Sequence, residues 1–167
     1  LPPGLVREGV VDRLWLERFV RQAPQRTRAA MEPFGYYSSE VAVLGEALDG
    51  GAHRLRVTVA PGEPVRVTEV ALALHGPGRK EDGLKALLDA FPLAPGDVLR
   101  HQRYEEAKGT LLARAQGLGY LDAGFTVHEI RVDPAALSAR IRLELSTGEG
   151  YLFNGAIIEG APAYPDA

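Results

Sequence analysis

The sequence predicts an α+β fold of two tandem β-α-α-β-β modules, each a three-stranded mixed sheet with two helices on one face. Two pairs of motifs recur in the same order at almost the same separation along the 167-residue chain. In addition, the run of residues 139–145 alternates apolar and charged side chains without interruption. Together these observations indicate a duplicated α/β module with a half-buried sheet.

The repeat is defined by a helix-end motif and by a junction motif. Residues 32–37 read EPFGYY and residues 116–121 read QGLGYL, so that Gly35 and Gly119 are 84 residues apart. Residues 61–64 read PGEP and residues 147–150 read TGEG, with Gly62 and Gly148 separated by 86 residues. This nearly constant separation predicts that the two halves fold alike.

The second copy opens with a strand and two helices. Residues 65–74 are rich in β-branched and leucine side chains, and their alternation slips at Thr68-Glu69 as in a bulged strand. Asp82 is expected to cap a short helix that Pro92 ends. A second helix begins between residues 97 and 101, and Gly119 is expected to stop it in the left-handed conformation.

Two strands complete this copy. Residues 125–132 and 139–145 flank the turn at Asp133-Pro134, and the regular alternation of the last run marks it as the central strand. Residues 65–74 should be its other neighbour, which places residues 125–132 at an edge. The alternation of this edge strand is interrupted near Glu129.

The first copy is less complete in sequence. Val11, Leu14, Trp15 and Phe19 form a helical face that we expect to break at Pro24, and strands are predicted over 37–44 and 54–59. Residues 5–11 either stand in for an opening strand or are the remnant of a truncated module. The predicted domains are therefore 1–62, whose opening strand and helix are in question, 63–150 as a complete module, and 151–167 as the first strand of a truncated third module.

Composition and charge restrict the function. Nineteen basic against 22 acidic side chains give a net charge of −3, which disfavours nucleic acid as a partner. No run of about 18 apolar residues and no secretory signal pattern occur, and the start at Leu1 suggests an excised segment. The chain has no cysteine, which excludes disulfides and thiolate chemistry and suits an oxidising compartment.

No residue pattern predicts a catalytic, metal or cofactor site. The four histidines lack metal-ligand spacing, and Ser38 and Ser39 lie outside any nucleophile motif. The histidines are His53, His75, His101 and His128. The rival hypothesis is a small duplicated hydrolase or ligand-binding domain, which would require a deep pocket with converging carboxylates and histidine.

Three local patterns resemble the POTRA (polypeptide-transport-associated) modules of outer-membrane assembly proteins. They are FGYY at 34–37, the junction VAPGEPVRV at 59–67, and Tyr104-Glu105 through Lys108 to GYLDAGF at 119–125. The first two favour the TamA subfamily, the outer-membrane subunits of the translocation and assembly module. The alternatives are the general barrel-assembly subunit and the two-partner secretion transporters.

The resemblance implies a periplasmic scaffold without a cofactor and without enzymatic activity. It implies client outer-membrane proteins or autotransporters as partners, together with an inner-membrane-anchored partner of the TamB type. Contact with the membrane would occur only through a barrel outside this chain. Clients would bind by strand augmentation at exposed sheet edges.

The candidate site residues fall into two groups and a surface strip. The predicted docking edge comprises Phe125, Thr126, Val127, His128, Tyr37 and Val41. The predicted structural motif comprises Gly35, Tyr36, Gly119, Tyr120 and Asp122, with Asp122 holding a nearby backbone amide. Arg54, Arg56, Arg140 and Arg142 occupy matching outward positions, as either a solvated face or a basic strip for acidic segments or lipid headgroups.

Overall fold

A computed structural model describes residues 6–7, 10–152 and 155 of the chain. It confirms the mixed α+β class, with a helix on a two-stranded sheet in the first half and two helices on a three-stranded sheet in the second. In the described part of the chain, no helix combines the length and the apolar character needed to cross a bilayer.

The first half contains one helix and two pairs of strands. Its elements are β1 (Val6–Arg7), β2 (Val10–Val11), α1 (Arg13–Met31), β3 (Glu40–Ala47) and β4 (His53–Ala60). The strands β1 and β2 pair only with each other, and β3 pairs antiparallel with β4 from Glu40↔Ala60 to Ala47↔His53.

Helix α1 is continuous through Pro24, so the expected break at this residue is wrong. Proline removes one amide donor, but the hydrogen bonds on either side continue the helix. Asp12 caps the start of the helix, since its Oδ1 accepts from the amide of Trp15 at 3.0 Å. Ala23, next to the proline, is buried, and this packing holds the helix where local preference disfavours it.

The two strands of the first half are shifted from their predicted bounds. β3 begins at Glu40, three residues after the predicted start at Tyr37, while β4 extends the predicted 54–59 by one residue at each end. Tyr37 therefore lies before the strand, in the segment that leads out of the helix. The alternation of side chains does not fix the residue at which β3 begins.

The second half has the predicted order and topology. Its elements are β5 (Arg66–His75), α2 (Asp82–Asp89), α3 (His101–Gly117), β6 (Gly124–Asp133) and β7 (Ser138–Ser146). The strand order is β5-β7-β6, with β7 parallel to β5 and antiparallel to β6. The predicted bulge is confirmed, because the register shifts between Val67 and Glu69.

The core of this half lies between β7 and the two helices. Ala139, Ile141, Leu143 and Leu145 alternate along β7 and are almost completely buried. Helices α2 and α3 cover them with side chains that are equally buried, among them Leu84, Tyr104, Leu111 and Ala115. Burial raises the pKa of the Tyr104 hydroxyl to about 12, with smaller contributions from the charges of nearby glutamates.

The start of α2 differs from the sequence-based expectation. Glu81 is the N-cap residue and Asp82 is already helical, with no side chain capping the first turn. A 3-10 turn over Pro77–Lys80 precedes the helix and leaves Glu81 in the extended conformation that a cap residue adopts. The Asp82 Oδ1 atom instead accepts from Lys85 Nζ at 3.1 Å on the exposed surface.

The end of α3 confirms the predicted glycine stop. Gly119 has φ +93°, and the amide of Tyr120 donates to the carbonyl of Ala115 at 3.1 Å. This six-residue closure satisfies a carbonyl that the helix leaves unpaired. A β-carbon on Gly119 would lie 2.6 Å from the carbonyl oxygen of Tyr151.

We expect Gly119→Val to lower the free energy of unfolding of the second half by about 2 kcal/mol or more, because a β-branched residue is strained at positive φ and clashes with backbone. Gly117→Val is the matched control, since Gly117 ends the same helix without positive φ and with open space around it. Urea unfolding measures both. Equal midpoints for the two variants would contradict the assignment.

Candidate strand-docking edges and the module junction

Strand β6 forms one edge of the second sheet. Among the described residues it pairs only with β7, so the backbone groups on its other side are not used in the sheet. Such a row of free amides and carbonyls is able to hydrogen-bond an added extended chain. The edge position itself is as the strand order predicted.

Four predicted edge residues lie at the start of β6. Phe125 is half-buried against the core, whereas Val127 is half-buried opposite Glu144 of the outer face. Thr126 and His128 are exposed, and His128 lies opposite the buried Leu143. The register with β7 skips between Phe125 and Val127, and the Thr126 hydroxyl donates to the carbonyl of Glu144 at 3.3 Å. The irregularity therefore lies at Thr126, and the prediction of an interruption near Glu129 is wrong.

The outer face of the second sheet is charged and internally paired. Glu69 lies opposite Arg140 and Glu129 opposite Arg142 in the strand register. Arg142 Nε donates to a carboxylate oxygen of Glu144 at 2.9 Å. This hydrogen bond lowers the pKa of the Glu144 carboxyl below its usual range, and a hydrogen bond with His75 lowers it less. These pairings favour a solvated face over a basic strip for this half of the molecule.

The matching arginines of the first half lie on β4. Arg54 faces Glu46 and Arg56 faces Leu44 across the antiparallel pair with β3, and both guanidinium side chains are exposed. Their outward placement is as the alternation predicted.

The predicted counterpart edge in the first half is only partly available. Val41 belongs to β3 but is buried, with 8% of its surface exposed, and it faces α1. Tyr37 lies outside the strand, and its hydroxyl is 2.7 Å from Nε2 of His101 in the second half. Neither side chain is presented to an incoming strand, although the role of this edge stays a prediction.

The two helix-end motifs have the same local geometry. Gly35, like Gly119, has φ +93°, and the amide of Tyr36 donates to the carbonyl of Met31 at 3.3 Å. The carbonyl of Gly35 then accepts from the amide of Val65 at 2.8 Å, just as the carbonyl of Gly119 accepts from Tyr151 at 2.8 Å. Each glycine thus binds the segment that follows the last strand of its own half.

The first motif also contacts the second half directly. A β-carbon on Gly35 would lie 2.7 Å from the carbonyl oxygen of Leu99 and 3.1 Å from Cγ1 of Val98. Burial, helped by the charge of Glu32, raises the pKa of the Tyr37 hydroxyl at the same contact. The sequence carries no signal for these contacts, because the partners lie some 60 residues away and belong to no shared motif.

The junction is fixed from the side of the first half as well. Ser39 is buried, and its hydroxyl donates to the carbonyl of Pro61 at 3.1 Å. The Nε atom of Arg28 donates to the carbonyl of Ser39 at 3.2 Å, which connects the junction to helix α1. Ser39, which lies outside any nucleophile motif, therefore stabilises the exit from β4.

The second motif serves the packing of its own half. Tyr120 is buried, and its hydroxyl donates to Oε1 of Glu81 at 3.0 Å, which ties the end of α3 to the start of α2. Asp122 accepts from the hydroxyl of Tyr151 at 2.6 Å and not from a backbone amide as expected. This hydrogen bond raises the pKa of the Tyr151 hydroxyl.

The described residues contain no group of three or more His, Cys, Asp or Glu side chains placed to hold a metal ion. A groove of about 440 Å³ lies between α1 and β3, with Leu16, Val20 and Gly45 at its base and Arg13, Glu17 and Arg21 among its lining residues. The absence of enzymatic activity and of a cofactor stays a prediction.

We expect Gly35→Ala to loosen the junction, because its β-carbon would displace the Leu99 backbone and strain a positive φ. Gly51→Ala is the matched control, since Gly51 has φ +78° but open space around it. NMR relaxation should show the two halves tumbling more independently only in the Gly35 variant, with a loss of about 1–3 kcal/mol in stability. Identical relaxation in the two variants would show that the close contact does not hold the halves together.

A family model described as the first POTRA domain of TamA matches residues 4–61. Among solved structures, the POTRA3-5 region of Haemophilus influenzae BamA is similar with a TM-score of 0.48 and 16% identity over 83% of this chain and 57% of that one. The POTRA1-2 region of Omp85 from Anabaena has a TM-score of 0.40 and 20% identity, covering 78% and 76% of the two chains.

The chain therefore spans little more than half the length of the BamA fragment. The family match lies in the first half of the chain, and it includes the motif at 34–37 and the first three residues of the junction motif at 59–67. The β-α-α-β-β order of the second half is the fold that the same resemblance implied. Residues 4–61 are thus similar to the first POTRA domain of TamA, in agreement with the resemblance that the sequence motifs indicate.

Proposed function

We propose that this chain is a periplasmic protein-protein interaction scaffold of an outer-membrane assembly or translocation protein. It recruits partner proteins and guides unfolded outer-membrane or autotransporter clients by strand augmentation. The open edge of β6, in a chain whose residues 4–61 match a POTRA domain, is the observation that supports the proposal. A TamB-like partner anchored in the inner membrane follows from the TamA-type match and forms part of the proposal.

The proposed domain organisation is the one that the repeat predicts. Residues 1–62 form the first module and 63–150 the second, and the contacts of Gly35 and Ser39 hold the boundary segment between them. The proposed opening strand of a third module falls on 151–167, most of which lies outside the described residues. Membrane attachment is assigned to a barrel outside this chain.

The features of β6 fit reversible docking of an extended chain. The bulge at Thr126 and the charged outer face disfavour indiscriminate edge-to-edge pairing, while the backbone stays accessible. Main-chain hydrogen bonds would supply affinity for many sequences, as a scaffold for diverse clients requires. The net charge of −3 gives no attraction to nucleic acid.

A proline at the β6 edge tests this function. We expect Thr126→Pro or His128→Pro, whichever removes an outward-facing amide, to weaken binding of a ten-residue peptide of alternating apolar and polar residues by about tenfold. Folding should change little, since both side chains are exposed. Fluorescence anisotropy measures affinity, and circular dichroism confirms the fold.

Thr126→Val is the matched control, because it alters the same side chain and keeps the backbone donor. Its affinity should remain within about twofold of the parent. If both folded proline variants bind as well as the parent, edge docking at β6 is wrong. A hydrolytic activity that survives purification to homogeneity would favour the rival enzyme class instead.

A further inference from the structure

A groove of about 340 Å³ lies where the turn after α1 packs against the start of α3. Pro33 and Phe34 line it from the turn. The lining residues from the start of α3 are Arg100, Gln102, Arg103 and Glu106. The volume lies within the range of about 300–1,000 Å³ that is usual for ligand pockets, so the groove is large enough to be a binding site.

Buried backbone hydrogen bonds fix the two sides of this groove relative to each other. The carbonyl of Gly35, which follows Phe34, accepts from the amide of Val65 at 2.8 Å. The carbonyl of Val65 in turn accepts from the amide of Leu99 at 2.9 Å, and Leu99 directly precedes Arg100. Val65 and Leu99 are both fully buried. The groove is therefore formed before a ligand binds, which lowers the entropic cost of binding.

The ring of Phe34 supplies apolar surface that the fold leaves uncovered. Phe34 is 52% exposed. Leu118 occupies the equivalent position of the second copy, at the 84-residue separation, and it is half-buried against the core. An aromatic ring that packing leaves half in water can bury this surface against a ligand.

The groove lies far from the segments at both ends of the described chain. Helix α1, with 19 residues at about 1.5 Å each, separates it from Asp12 by about 28 Å. Helix α3, with 17 residues, separates it by about 25 Å from Gly119, whose carbonyl binds the amide of Tyr151. All of its lining residues belong to the described part of the chain.

Two arginines make the lining of the groove positive. Arg100 and Arg103 are exposed, and neither forms an ion pair with any residue that the structure describes. The carboxylate of Glu106 accepts from Nε2 of Gln102 at 2.8 Å, and the neighbouring Glu32 is not a lining residue. Two guanidinium groups against one carboxylate leave a net positive charge on the lining, in a chain whose net charge is −3.

We propose that this groove binds a short acidic segment of a partner polypeptide, with a proline or aromatic side chain on Phe34 and carboxylates on Arg100 and Arg103. A guanidinium group can hold a carboxylate through two parallel hydrogen bonds. A phosphate headgroup would use only the arginines, so the exposed ring favours a polypeptide as the ligand. The groove is distinct from the β6 edge and does not depend on it.

The probe is a fluorescein-labelled ten-residue peptide in which a phenylalanine-proline pair is flanked by aspartates, added to the full 167-residue chain. We expect amide shifts in the NMR spectrum to concentrate on residues 32–35 and 99–106. A peptide with lysine in place of each aspartate should not bind. A peptide with serine in place of the phenylalanine-proline pair should bind about fivefold more weakly or worse, because it loses the apolar contact.

Substitution of Phe34 tests the apolar contact. Phe34→Ala should weaken binding of the acidic peptide by about tenfold, since it removes most of the apolar surface of the groove. Leu121→Ala is the matched control, because Leu121 is 47% exposed in the corresponding turn of the second half. Its affinity should stay within about twofold of the parent. Circular dichroism confirms that both variants are folded.

Substitution of the arginines tests the charge without risk to the core, because both side chains are exposed. Arg100→Gln and Arg103→Gln together should weaken binding by about tenfold, whereas Arg79→Gln, at another exposed arginine, should stay within about twofold. Raising the salt concentration from about 50 to about 300 mM should weaken binding to the parent more than to the double variant.

Four results would overturn the proposal. The first is equal affinity of Phe34→Ala and Leu121→Ala, and the second is binding of phosphatidylglycerol vesicles, but not of the peptide, through the two arginines. The third is self-association of the chain that Phe34→Ala abolishes, which would make a second copy the occupant. The fourth is a nuclear Overhauser effect between Phe34 and residues 153–167 of the free chain, which would make its own segment the occupant. Because Thr126→Pro acts on β6 and Phe34→Ala on this groove, failure of this inference is distinguishable from failure of the proposed function.

Discussion

The structure depends on the burial of the apolar face of one central strand. Neighbouring strands flank this strand on both sides, and helices cover its apolar face. In the second half, β7 has both neighbours, and its four alternating apolar side chains are removed from water. At about 25 cal/mol per Å² of apolar surface, this burial is a main source of stability for so small a unit. Among the described residues of the first half, the equivalent strand has one neighbour, and its valines remain partly exposed to water. The two halves therefore share the alternation of apolar side chains and differ in how completely these side chains are buried.

The helix-end glycines connect each half of the chain to the segment that follows its last strand. A left-handed residue reverses the chain and leaves its own carbonyl pointing outward, where it accepts the amide of a residue that begins the following segment. The close approach of Gly35 to Leu99 allows no side chain at that position. Glycine is needed there for two independent reasons, its positive φ and its missing β-carbon. The same two reasons apply to Gly119, where a β-carbon would lie 2.6 Å from the carbonyl oxygen of Tyr151.

Much of the second half could be predicted from sequence, because its signals are local. Strict alternation over 139–145, the slip at Thr68-Glu69 and the glycine stop each depend on near neighbours. The predictions that proved wrong depend on distant partners. Packing of Ala23 keeps α1 helical through Pro24, and the 3-10 turn decides that Glu81 caps α2. The contact of Tyr37 with His101 joins residues 64 positions apart and has no sequence signature. Of the candidate site, the edge position of β6 could be predicted, whereas the burial of Val41 could not.

The two sheets differ in how completely their core faces are covered. Strand β6 has a bulge at Thr126, and its inward Phe125, Ile130 and Val132 pack against the core of the second half. An added strand at β6 would therefore gain mainly main-chain hydrogen bonds. Among the described residues, β4 has a regular register with β3, and Val57 and Val59 stay 48% and 37% exposed. The core of the second half is thus complete without an added strand, and the free backbone groups are what its β6 edge offers.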